Sequence, residues 1–353
     1  MRAVAVAQNM GARAELTLIT TGPGKMDKLV TNAGVELCVL HSPAKRTLHF
    51  MRAVRRIQRT HRFDVIHVHG GRMGPIVRLA LLGCAPPMIC TFHGHEIRNI
   101  WFHWLNFFVF KRIICVSAEL HDFTRRHSPW WYHSRLRTVL NGVDSKRILS
   151  GQNRGVLRRE LNLTDEHFLI GMVGNISSGR NFAMVCRTLP GVFAAIPNAR
   201  FVFVGGVNNQ PMKDEMDCII AETGIGDRVF FTGPRAEVPD IMQELDLYVY
   251  SSVHDTFGLT IIEAMMAGLP VVVNDLPVFN ETTDNGRYVE YYRTNDQDDL
   301  LRAIVTLAQD PVRMKKLATD AREWAMSHFD FDIHIENLLR QYREVAAIYK
   351  PKG

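Results

Sequence analysis

Two carboxylates eight residues apart, with a glycine between them, are the feature of this sequence that most directly implies chemistry. The segment reads Ser251-Ser252-Val253-His254-Asp255-Thr256-Phe257-Gly258-Leu259-Thr260-Ile261-Ile262-Glu263-Ala264-Met265. It predicts a strand end, a loop carrying Asp255 and the Phe257-Gly258 turn, then a helix with Glu263 in its second turn. Gly258 permits close backbone approach, and the opening of a helix at Leu259 offers N–H donors to an anion. Carboxylates that accept from hydroxyls, set beside donors that suit a diphosphate, fit a sugar nucleotide. The plainer alternative makes Asp255 a helix cap and Glu263 a solvated residue.

Histidines form a second group. Ile66-His67-Val68-His69-Gly70 and Thr91-Phe92-His93-Gly94-His95-Glu96 each place imidazoles where a strand should end. Imidazole and carboxylate are good metal ligands. No further ordered cluster accompanies them, so hydrogen-bonded structural histidines are the competing reading for His67 and His69. A third group is aromatic. Residues 100–112 and 130–137 interleave Trp, Phe and Tyr with Lys111, Arg112, Arg135 and Arg137. That pattern suits either a core helix or contact with an anionic membrane surface.

The elements that must hold these residues alternate regularly. In the first half, strands are expected at Leu16 to Thr20, Val35 to Leu40, Val65 to Val68, Met88 to Phe92, Ile113 to Val116 and Thr138 to Leu140. In the second half they are expected at Leu169 to Val173, Ala199 to Val204, Val229 to Thr232, Leu247 to Tyr250 and Val271 to Val273. Amphipathic helical stretches separate them, and Pro311 to Tyr349 reads as helices broken near Phe329. Alternating apolar strands and helices mean parallel sheets covered on both faces. The fold class is therefore α/β, with two Rossmann-like domains in tandem and ligands expected at the carboxyl ends of the strands. The expected division is 1–150, 151–330 and a C-terminal helix, 331–353, packing back towards the first domain. The sequence opens on an expected helix at Arg2 to Met10. The first strand and Gly-rich turn of the N-terminal domain are thus expected to be missing.

Length and composition agree with this outline. The chain has 353 residues, 46% hydrophobic and 22% charged, which excludes a disordered chain or a small disulfide scaffold. Six cysteines (Cys38, Cys84, Cys90, Cys115, Cys186, Cys218) show no C-x-x-C pair and read as reduced, in keeping with a cytoplasmic protein. Residues 1–150 carry 22 Lys and Arg against 8 Asp and Glu, a net +14, while the remainder carries 20 against 28, a net −8. The basic half suggests an anionic surface or substrate. No nucleic-acid-binding signature accompanies it, so nucleic acid is not expected as a partner.

The segment containing Asp255 and Glu263 resembles the E-x7-E motif of retaining family 4 glycosyltransferases of GT-B fold, with Asp255 in place of the first Glu. Ala267-Gly268-Leu269-Pro270-Val271-Val272 resembles that family's A-x-G-x-P-V-V. Gly171-Met172-Val173-Gly174-Asn175 through Arg180 resembles its phosphate-binding loop, Val139-Leu140-Asn141-Gly142-Val143-Asp144 its N-G-V-D, and the His93 segment its T-x-H.

The resemblance implies transfer of a sugar, with retention, from a nucleotide diphosphate sugar to a glycan or lipid-linked diphosphate glycan. The setting it implies is synthesis of a bacterial surface polysaccharide: lipopolysaccharide, capsule or exopolysaccharide. By the same resemblance Asp255 contacts the transferred sugar, Glu263 the ribose and Arg180 the diphosphate. Gly174, Asn175 and the Phe257, Gly258 and Leu259 backbone complete the donor site, and His93 lies beside the reacting sugar. The resemblance further implies that no metal or other cofactor is needed, and that the enzyme works in the cytoplasm, at the inner face of the membrane. Asn175 departs from the family's Arg, which shifts the burden onto Arg180. A sugar-nucleotide epimerase of the same fold and a catalytically silent nucleotide-sugar-binding protein are the alternatives.

Overall fold

The computed structural model describes residues 10, 13–20, 36–39, 47–95 and 100–349. The expected helix at 2–10 lies outside the described residues except for Met10. The chain divides into two compact units, residues 1–142 with 331–353, and residues 143–330.

In the first unit, β1 (Thr17–Thr20) pairs in parallel with β2 (Glu36–Val39). A parallel four-stranded sheet runs in the order β3 (Ile66–His69), β4 (Met88–Phe92), β5 (Arg112–Cys115), β6 (Leu136–Thr138). Its helices are α1 (Thr47–His61), α2 (Gly74–Ala80), α3 (Ile100–Val109) and α4 (Ala118–Arg126). All five residues of β4 are buried, as a strand covered on both faces requires. Phe50, Val54 and Gln58 recur every four residues of α1 and form its buried stripe. Ser117 caps α4, its Oγ accepting the Leu120 N–H at 3.2 Å.

The second unit opens with α5 (Ser145–Leu149) and α6 (Val156–Glu160). It continues through β7 (Phe168–Val173), α7 (Phe182–Ala195), β8 (Ala199–Val204), α8 (Gln210–Thr223) and β9 (Val229–Phe231). Then come α9 (Val238–Glu244), β10 (Leu247–Tyr250), α10 (Leu259–Ala267), β11 (Val271–Asn274) and α11 (Phe279–Thr283). β12 (Glu290–Tyr292), α12 (Gln297–Ala308) and α13 (Pro311–Phe329) end the unit. The last helix, α14 (Phe331–Tyr349), belongs to the first unit. There Ile335, Leu338 and Leu339 pack with Ile89, Ile114 and Val139, and buried Arg112 donates to Gln341 at 2.7 Å and Glu344 at 2.6 Å.

The two-domain α/β reading holds. Strand β6 begins two residues earlier than expected, because its pairing with β5 starts at Leu136. Strand β12 was not expected at all. Its Glu290 reads as a surface residue, yet it is buried and paired with Arg302 and Arg313. In the second sheet the order is β12-β11-β10-β7-β8-β9, all parallel. The chain leaves β7 in one direction for β8 and β9, then crosses back for β10. The crevice beyond the carboxyl ends of β7 and β10 is therefore the switch point where ligands of such sheets bind.

Candidate functional site

Arg180 projects from the loop that leaves β7 and returns to that crevice. Its guanidinium carbon lies 4.2 Å from the centre of the Tyr250 ring, and Nη1 donates to the Val173 carbonyl at 3.3 Å. Gly174 has φ 147°, and a Cβ there would sit 3.0 Å from the same guanidinium, so only glycine leaves this approach open. Asn175 is turned to the neighbouring loop, where its Oδ1 accepts the Gly206 N–H at 2.9 Å. The loop after β7 is fastened to the loop after β10. Ser252 Oγ donates to the Gly179 carbonyl at 2.7 Å, and the Val253 N–H donates to it at 3.0 Å. Buried Asn274, at the end of β11, supports Ser252 from beneath by a pair of hydrogen bonds of 2.9 and 3.1 Å.

Asp255 is engaged by its own loop. Oδ1 accepts from the N–H groups of Thr256, Phe257 and Gly258 at 2.6, 2.9 and 3.1 Å, and Tyr250 O–H donates to Oδ2. Phe257 is fully buried, and Leu259 opens α10. Gly258 has φ 78°, with room for no Cβ because Ile261 would lie 2.7 Å away. Glu263 stands in the second turn of α10, with Arg147 of α5 at 3.7 Å. Burial pushes its carboxyl above the usual glutamate range, and Arg147 opposes part of that shift.

Gly174, Asn175, Arg180, Asp255, Phe257, Gly258, Leu259 and Glu263 thus all belong to the second unit, grouped on the loops after β7 and β10 and the start of α10. His93 belongs to the first unit. It follows β4, with its Nε2 3.0 Å from His69 Nδ1. His67, behind His69, lies between Tyr342 Oη (2.6 Å) and Thr91 Oγ1 (2.7 Å). Burial, and then the neighbouring His69, His93 and His334, hold its pKa well below 6.5, so it is neutral. A cavity of about 20 Å³, room for one water, lies beside these rings. Among the described residues no group of three or more His, Cys, Asp or Glu could hold a metal ion.

Sequence reasoning missed Tyr250, Arg147 and Asn274. Strand alternation carried a signal for the first, because Tyr248 and Tyr250 share the face opposite Leu247 and Val249. Leu247 and Val249 belong to the main apolar cluster.

Two parallel α/β units, with a loop cluster at the switch point of the second, define the GT-B fold class. HepE from Anabaena, solved in complex with UDP and glucose, superposes with a TM-score of 0.83 at 18% identity, over 97% of this chain and 95% of that one. The family model "Glycosyl transferases group 1" matches residues 153–324, and "Glycosyltransferase Family 4" matches residues 2–147. The chain belongs to this glycosyltransferase family.

Among curated relatives, the Escherichia coli UDP-Gal:alpha-D-GlcNAc-diphosphoundecaprenol alpha-1,3-galactosyltransferase is 25% identical over 71% of this chain and 68% of its own length. The O-antigen biosynthesis glycosyltransferase WclY, also of Escherichia coli, is 23% identical over 63% of this chain and 64% of its own length. The matched region thus spans about two thirds of these relatives.

Proposed function

We propose that this chain transfers a hexosyl unit from a UDP-sugar to a lipid-linked diphosphate glycan, with retention, during assembly of a bacterial surface polysaccharide. The observation that carries the reading is the placement of Arg180 over Gly174, close to the Asp255 loop, at the switch point of the second sheet. A guanidinium there can take a diphosphate bidentately and stabilise the leaving charge. Glu263 accepts from the ribose, the Asp255 loop meets the transferred sugar, and His93 supports the reacting centre. The names of the relatives, with UDP-galactose and a diphosphoundecaprenol acceptor, or UDP and glucose, supply the substrate classes. Charge on the diphosphate is met by Arg180 and the N–H groups that open α10, those of Phe257 and Gly258 being taken by Asp255, so transfer should continue unchanged in EDTA.

The basic first unit is proposed to rest on anionic lipid at the inner face of the membrane. In support, α3 has two aromatic faces. Phe107 is buried, while Trp104, Leu105 and Phe108 are exposed, and Trp130 is 82% exposed. No helix among the described residues is long and apolar enough to cross a membrane.

Arg180→Ala and Glu263→Ala should each abolish transfer while leaving the protein folded, as followed by circular dichroism and product formation. Full activity in both variants would overturn the assignment. A second reading, a nucleotide-sugar-binding protein without turnover, is favoured by the engagement of Asp255 and Asn175 with their own loops. Calorimetric binding of a UDP-sugar, with no product on any lipid-linked acceptor, would select it.

A further inference from the structure

Tyr250 is buried at the end of β10, and both side chains assigned above to the donor's diphosphate and sugar rest on it. Its ring face carries the Arg180 guanidinium at 4.2 Å, and its hydroxyl donates to Asp255 Oδ2. The ring is itself clamped, meeting Phe279 edge to face with centroids 5.5 Å apart and planes at 90°. The strand that ends at Tyr250 is paired on both sides, with β7 and β11. A rigid element thus fixes one aromatic ring, and that ring fixes a cation on its face and an anion at its tip.

The contact answers a question the sequence raises. Asp255 is one methylene shorter than glutamate. Its Oδ1 is taken by three N–H groups of its own loop, so Oδ2 is the oxygen left to meet a sugar hydroxyl. The direction of Oδ2 is set by Tyr250. Burial keeps the phenol protonated and therefore a donor, because its pKa stands well above 10. A guanidinium stacked on a buried ring also loses rotamer freedom before a ligand arrives, which lowers the cost of ordering it on binding.

The geometry points to Tyr250 as a positioning residue for the donor: its ring presents Arg180 to the diphosphate, and its hydroxyl orients Asp255 towards the transferred sugar. This rests on the donor-site reading of Arg180 and Asp255 given above. Tyr250 is 1% exposed and meets Arg180 and Asp255, so its effect must pass through those two residues and must separate by chemical group.

The test uses the full chain, with UDP and a nucleotide sugar as calorimetric probes. The sugar probe is whichever of UDP-glucose, UDP-galactose, UDP-N-acetylglucosamine and GDP-mannose the parent protein binds most tightly. Tyr250→Phe keeps the ring and loses the hydroxyl. It should leave UDP affinity within about twofold and weaken the nucleotide sugar about tenfold, as expected for loss of one charge-assisted hydrogen bond. Tyr250→Leu should weaken both probes. In a double-mutant cycle, Tyr250→Phe should add little to Asp255→Asn, because both act on one contact. A merely structural tyrosine would lower thermal stability without this split between probes.

Equal affinities for parent and Tyr250→Phe, with additive effects in the cycle, would overturn the hydroxyl's role. If Tyr250→Leu fails to fold, Tyr250→Phe and the cycle still decide. Failure of the underlying reading shows differently, since Arg180→Ala and Asp255→Asn would then also bind both probes as the parent does. A parent that binds none of the probes overturns both.

Discussion

At the scale of single residues, the proposed donor site is decided by how charged groups are held before a ligand arrives. Glu263 is half-buried beside Arg147, and its carboxyl stands above the ordinary glutamate range. A carboxylate accepts from a ribose hydroxyl more strongly than the protonated acid does, so nucleotide affinity should fall on mild acidification, at a pH where an exposed glutamate would still be charged. Arg147→Ala removes the attraction that lowers this pKa and should move the midpoint upward. Glu263→Gln should flatten the profile. Calorimetry across the pH range checks both directions, and a profile unaltered by either change would refute the assignment.

The carboxylate spacing at 255 and 263 was legible because a helix opens directly after the loop, so local sequence fixes both positions. Arg147 was not legible. It meets Glu263 across more than a hundred residues, and nothing near it in sequence announces the pairing. Tyr250 was hidden for another reason, since tyrosine in an apolar strand reads as core and only the ends of its ring reveal the second task.

At the scale of elements, the site depends on two loops being held rigidly at neighbouring strand ends. Strand periodicity placed β7, β10 and β11 in the sequence, and their order in the sheet then brought the loops together. The edge strand β12 escaped because one charged residue, Glu290, interrupts its pattern, and its partners Arg302 and Arg313 lie on later helices. The turn into α10 tolerates little change. Gly258 combines a left-handed backbone with contact against Ile261 and Phe279. An alanine there faces a conformational cost of about 1–2 kcal/mol and overpacking of roughly 1–3 kcal/mol. Gly258→Ala should therefore lower the thermal unfolding midpoint measurably and displace the Asp255 loop, weakening nucleotide-sugar affinity in parallel. A variant with parent stability and parent affinity would show that the turn is not under this constraint.

At the scale of the whole molecule, charge and exposed aromatic surface are distributed unequally. The excess of positive charge in residues 1–150, with Trp104, Phe108 and Trp130 exposed, predicts co-sedimentation with anionic vesicles and little with neutral ones. Replacing Trp104, Phe108 and Trp130 by serine should reduce the bound fraction several-fold while leaving nucleotide affinity untouched. Equal sedimentation with both kinds of vesicle would count against an electrostatic contact.

The second unit also starts and finishes at one place. The Val143 N–H donates to the Phe329 carbonyl at 2.8 Å, and Ser145 is hydrogen-bonded to Asp330. A segment whose two ends are stapled together behaves as an insert with a single attachment point. An exchange at the codons for residues 143 and 330 would carry both ends of this staple together, so an incoming segment would arrive with its own closure intact.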